Sequence, residues 1–102
     1  MNEIKLHLGC GHRYLKNFIH IDKDILPHID YPNTDLGNLS MFKDSTVDLI
    51  YTCGSFEYYD REEAIEVLKE WKRVLKKGGI LKISDPNFTS IVEVYKKYNE
   101  LD

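Results

Sequence analysis

The apolar positions of the chain change rhythm several times along its length. Ile4, Leu6 and Leu8 alternate with Lys5 and His7, the two-residue period of a β-strand. The run stops at Gly9-Cys10-Gly11. Two glycines one residue apart, just past a strand, mark either a tight turn or a close approach of backbone to a ligand. Phe18-Ile19-His20-Ile21-Asp22 forms a second short strand, its apolar residues nearly continuous as in a strand buried on both faces. Residues 13–17 between them make a loop or one turn. Pro27 and Pro32 keep residues 25–33 mostly extended, with a short edge strand at residues 28–31. Val47-Asp48-Leu49-Ile50-Tyr51 alternates again and runs into the small residues Thr52-Cys53-Gly54-Ser55.

The period then turns helical. Ala64, Leu68, Trp71 and Leu75 fall on one face of a 3.6-residue repeat, widened by Val67 and Val74. Asp60 with Glu63 predicts a capping box at its start. Glu66 with Lys69 and Glu70 with Arg73 make i,i+3 pairs on the solvated side. Lys76-Lys77 suit the negative end of the helix, which Gly78-Gly79 terminates. Ile80–Ser84 follows as a strand, and Ser90-x-x-Glu93 opens a last helix with Ile91, Val94, Tyr95, Tyr98 and Leu101 on one face. Strands separated by helices imply an α/β fold with a mostly parallel sheet, in a single domain over residues 1–102.

Composition narrows the function. With 42% apolar and 30% charged residues, the chain is globular. A formal net charge of −3 argues against nucleic acid and anionic membranes as partners. No apolar run approaches the ~20 residues of a membrane span. The start, Met-Asn-Glu-Ile-Lys, lacks a secretory signal, so the expected location is cytoplasmic. Two cysteines are too few for a disulfide scaffold, and the four scattered histidines have no zinc-ligand spacing, so no metal is expected.

In open parallel sheets ligands bind beyond the carboxyl ends of the strands. Three such loops carry suitable residues: Gly9–His12, Asp22–Lys23 and Cys53–Ser55. An ionised Asp22 has only acceptors and suits the vicinal diol of a ribose; the alternative is a solvated loop acid. Asp35-Leu36 offers an acceptor for the adenine amine and an apolar face for its ring; the alternative is a turn acid. A dinucleotide site needs Gly-x-Gly-x-x-Gly, an immediate helix and an acid ~20 residues on. Here Tyr14 takes the third glycine position and Asp22 comes too early. No phosphate-binding loop is present. The pattern suits a nucleoside without phosphates, of which S-adenosylmethionine is the common case.

At this point the sequence resembles the class I S-adenosylmethionine-dependent methyltransferases. Leu6-His7-Leu8-Gly9-Cys10-Gly11 looks like their first motif. The likeness continues through Phe18–Asp22, Asp35-Leu36, Phe42–Tyr51 and Glu70–Pro86, closest to small members found among glycan- and envelope-biosynthesis genes. The resemblance implies a Rossmann-like sheet, with Gly9, Cys10 and Gly11 along the methionine part of S-adenosyl-L-methionine. It places Asp22 and Lys23 at the ribose, Asp35 and Leu36 at the adenine, and Cys53 and Gly54 near the sulfonium. The family's strand order sets the first and fourth strands side by side. Cys10 and Cys53 then end together, as small residues fitted around a ligand or within reach of a disulfide.

Two departures stand out. The subgroup's Ser-His-x-Leu-Glu-His segment is here Cys53-Gly54-Ser55-Phe56-Glu57-Tyr58, which keeps the glutamate and neither histidine. The chain also stops short of the family's lid and C-terminal strands. Ile80–Ser84 would then be a bare apolar edge, which proteins rarely leave uncovered. A second copy, giving a homodimer, or a partner chain is expected to cover it.

The expected function is methyl transfer to a small-molecule or glycan acceptor. If a general base is needed, Glu57, Tyr58, Tyr59 and His12 are candidates; Glu57 serves equally as a loop brace. The rival is a non-catalytic, methyltransferase-like binding or interaction subunit. A short-chain dehydrogenase half-domain fails on the glycine pattern and on the missing Tyr-x-x-x-Lys pair.

Overall fold

The computed structural model describes residues 3–53, 60–84 and 89–93. Five strands and one helix are present among them: β1 (Lys5–Leu8), β2 (Ile19–Ile21), β3 (Val47–Cys53), α1 (Arg61–Val74), β4 (Leu75–Ser84) and β5 (Thr89–Glu93). They form one sheet in the order β2-β1-β3-β4-β5. The first four strands run parallel, and β5 is antiparallel to β4. Tyr31 makes a parallel bridge to Ile21, so the anticipated edge strand at residues 28–31 shrinks to a single rung. Chain order reverses at β1, which lies between β2 and β3. This switch point, at the carboxyl ends of β1 and β3, is where a Rossmann-like sheet opens a crevice.

Alternation decides the faces. Leu6, Leu8 and Ile21 are fully buried in one core with Ile50, Leu36, Leu39 and the helix residues Val67, Trp71 and Val74. His7 and His20, paired in register, lie on the opposite face and are buried too. Residues 9–18 join β1 to β2, a shorter crossover than the usual dozen or more residues. They contain turns closed by Arg13 N–H to Cys10 carbonyl (3.0 Å) and Phe18 N–H to Leu15 carbonyl (3.2 Å).

The capping box at the start of α1 is present: the Asp60 carboxylate accepts the Glu63 N–H at 2.8 Å, and Glu63 accepts the Asp60 N–H at 3.2 Å. Its buried stripe is Val67-Trp71-Val74, while Leu68 and Ile65 are exposed, so the inward face is rotated from the one the spacing suggested. The helix also ends earlier than expected. The Arg73 and Val74 carbonyls accept the N–H groups of Ser45 and Thr46, both at 2.9 Å, which satisfies terminal acceptors. Leu75 then pairs with Val47 of β3. Gly78-Gly79 is no helix stop: it turns the chain between the Leu75 rung and the run from Ile80, where pairing with Leu49 resumes. Gly78 has φ +81°, and a Cβ on Gly79 would lie 2.9 Å from the Lys76 carbonyl oxygen.

The final helix expected from Ser90 begins instead as β5. Its residues pair with β4 from Ile80↔Glu93 to Ser84↔Thr89. The β4 edge is therefore covered by the chain itself, and the argument for a homodimer or partner chain at that edge falls away. Tyr95, Tyr98 and Leu101 lie outside the described residues.

Candidate functional site

The carboxyl ends of β1 and β2 are tied together by the residues the sequence singled out. The chain leaves β1 through Gly9 (φ 68°) and Gly11 (φ 56°), a backbone region that side chains disfavour. Gly9 N–H donates to the Ile21 carbonyl at 2.8 Å. Asp22, buried just past β2, closes the turn. Its Oδ2 accepts the Gly11 N–H at 2.7 Å and its Oδ1 the Asp24 N–H at 3.1 Å. A carboxylate has about four acceptor positions, so these two bonds leave capacity for a diol. A Cβ on Gly11 would meet nothing within 4 Å; the space over this glycine is open.

Cys10 is a free, buried cysteine, its Sγ 3.9 Å from Nε2 of His28. Burial, and then the Asp22 charge, push the thiol up to about 11, so it is protonated at neutral pH and a poor nucleophile. Cys53 closes β3 opposite Ser84. Gly54, Glu57, Tyr58 and Tyr59 lie outside the described residues, and His12 is exposed.

Lys23 and Asp35 meet across a pocket of about 370 Å³, walled by Gly37 and by Glu62, Glu63, Glu66 and Val67 of α1. That volume falls within the ordinary range for small-molecule clefts. Asp35 is locked in an Asx turn, its Oδ1 accepting the Gly37 N–H at 2.9 Å. The Leu36 side chain is packed in the core, so it does not present the apolar face expected of it.

The helix residues that fix this loop were read only as core or as solvated pairs. Trp71 Nε1 donates to the Leu36 carbonyl at 2.9 Å. Glu70 Oε2 accepts the Leu39 N–H at 2.7 Å. Arg73 forks onto both Glu70 oxygens and also reaches the Leu39 and Phe42 carbonyls and Asp44. These bonds hold Glu70 below its usual range and raise Arg73. Spacing revealed Glu70 and Arg73 as neighbours, but not that residues 39–44 would bury them.

Behind the glycine turn, Tyr14 stacks on His20 with ring centroids 5.0 Å apart, and His7 sits 5.4 Å from His20 and 5.1 Å from Tyr51. His20 Nε2 accepts the Leu15 N–H at 3.0 Å, which fixes its proton on Nδ1, facing Asp30. His7 has no partner on either ring nitrogen. Among the described residues no group of three or more His, Cys, Asp or Glu is placed to hold a metal.

A family model described as a methyltransferase domain matches residues 14–83. The chain belongs to the methyltransferase-domain family. The matched span includes Asp22, Lys23, Asp35 and Leu36 and begins after the Gly9–Gly11 turn. With its four parallel strands, the domain has the Rossmann-like fold of the class I methyltransferases. No match is found among curated proteins. Among solved structures, a candidate S-adenosyl-L-methionine-dependent methyltransferase from Methanococcus maripaludis is similar at 28% identity and a TM-score of 0.48. The similarity covers 57% of this chain and 25% of that one, so the chain spans about a quarter of that protein's length. No described helix of this methyltransferase domain is long and apolar enough to cross a membrane.

Proposed function

We propose that this methyltransferase domain binds S-adenosyl-L-methionine and transfers its methyl group to a small-molecule acceptor, as a single cytoplasmic domain over residues 1–102. The observation that carries the reading is the Asp22 carboxylate bonded to the Gly11 N–H at 2.7 Å, beneath the open space over Gly11. A ribose diol would take the remaining acceptors of Asp22, with Lys23 beside it. Gly9, Cys10 and Gly11 would line the methionine end. Asp35 would face the adenine, and Cys53 and Gly54 would lie by the sulfonium. When bound, the cofactor supplies an electrophilic methyl group. The residues of the chain orient and desolvate; none need become covalent. Glu57 is the candidate base if the acceptor must lose a proton. Glycans remain within the acceptor class.

Calorimetric titration with S-adenosylmethionine and S-adenosylhomocysteine tests this directly. Micromolar binding by the wild type is expected. Asp22→Asn keeps the shape but loses the charge, and a charged hydrogen bond is worth about 1.5–3 kcal/mol. Affinity should fall about tenfold or more. No binding by the folded wild-type chain would leave the non-catalytic interaction subunit as the better account.

A further inference from the structure

The loop that carries Asp35 and Leu36 owes its position to α1. Gly37 passes so close to the helix that a Cβ there would sit 3.1 Å from Val67 Cγ2 and 3.4 Å from Asp35 Oδ1. Asp35 is held within the loop, its side chain by Gly37 N–H and its carbonyl by Asn38 N–H, each at 2.9 Å. One long-range bond reaches the peptide that joins Leu36 to Gly37. It is the 2.9 Å bond from the Trp71 indole to the Leu36 carbonyl, buried, between residues 35 apart in sequence. The same peptide supplies the Gly37 N–H that orients the Asp35 carboxylate. Rotation of that peptide would turn the Gly37 N–H away and release Asp35.

We propose that Trp71 is a positioning residue for base recognition: by fixing the Leu36–Gly37 peptide it aims the Asp35 carboxylate at the exocyclic amine of the adenine. This rests on the cofactor assignment above and adds to it the residue that sets nucleobase selectivity.

Trp71→Phe keeps an aromatic ring and removes the donor. The probes are S-adenosylhomocysteine and S-inosylhomocysteine, whose 6-oxo base lacks the amine, titrated calorimetrically into the full chain. The wild type is expected to prefer the adenine form about tenfold or more, since sites built around a hydrogen bond reject analogues that lack it. In Trp71→Phe the adenine form should weaken about tenfold while the inosine form changes little, so the preference collapses. Equal weakening of both ligands, or no change in either, overturns the proposal. Trp71 is the sole tryptophan, so its emission gives a second readout that needs no variant. Saturating S-adenosylhomocysteine should shift it, and methionine should not. Unmoved emission at calorimetric saturation overturns the proposal even if Trp71→Phe fails to fold. A wild type that binds neither ligand overturns the cofactor assignment itself, an outcome visible before any variant is compared.

Discussion

His7 shows what a single buried residue does to the pH response. Its imidazole is wholly buried, with both nitrogens unpartnered. Burial first, then the neighbouring His20 and Arg13, lower it from 6.5 to about 4, while Asp22 opposes. The unfolded chain therefore takes up a proton between pH 6.5 and 4 that the folded chain refuses. Stability is complete above pH 6.5 and falls as pH drops to about 4, by about 3 kcal/mol in total at 1.36 kcal/mol per unit. Asp48 and Glu70 have lowered folded values, so their contribution begins to fall as pH enters the ordinary carboxylate range and is lost as pH drops through the lowered folded values. Urea unfolding across pH 2–7 separates the two windows. His7→Leu should flatten the upper window. It should also leave neutral-pH stability unchanged or higher, because replacing an unsatisfied buried polar group by an apolar one is neutral or favourable. The position of His7 on a strand was legible from alternation. Its missing partners were not, because they depend on Phe18, His20 and Tyr51 arriving from other segments.

At the scale of elements, α1 was the best-specified stretch because its signals are local: the Asp60-x-x-Glu63 box and the 3.6-residue apolar repeat. The distinction between its two acid–base pairs was not local. Glu66 and Lys69 are exposed, 3.5 Å apart, whereas Glu70 and Arg73 are partly buried at 2.8 Å and clamp residues 39–44. An exposed pair contributes about 0–1 kcal/mol. Removing one member of a partly buried network strands its partners and costs about 3 kcal/mol. Arg73→Met should therefore lower stability by that amount in urea unfolding, and Lys69→Ala by under about 0.5 kcal/mol. Similar losses in the two variants would mean that the clamp is no stronger than a surface pair. The same contrast explains β5. Ser90-x-x-Glu93 satisfies a local capping pattern, yet Thr89, Ile91 and Val92 are β-branched and suit a strand. The unmade hydrogen bonds along β4 decided between them.

At the scale of the whole sheet, the consequence is which backbone groups are left open. A parallel edge strand leaves every second N–H unpaired. Had β4 been such an edge, alternate amides from Ile80 to Ser84 would exchange freely, and a second copy would be the natural cover. With β3 on one side and β5 on the other over this stretch, both sets of amides have partners. Hydrogen exchange should then be slow at consecutive amides throughout 80–84. The protection should not change when the protein is diluted, because the covering strand belongs to the same chain. Replacing Ile91 by proline removes a donor and breaks the β5 ladder. It should raise exchange at alternate β4 amides while leaving those of β1 and β2 protected. Alternating protection in the wild type, or protection that fades on dilution, would instead place the cover of β4 in another molecule.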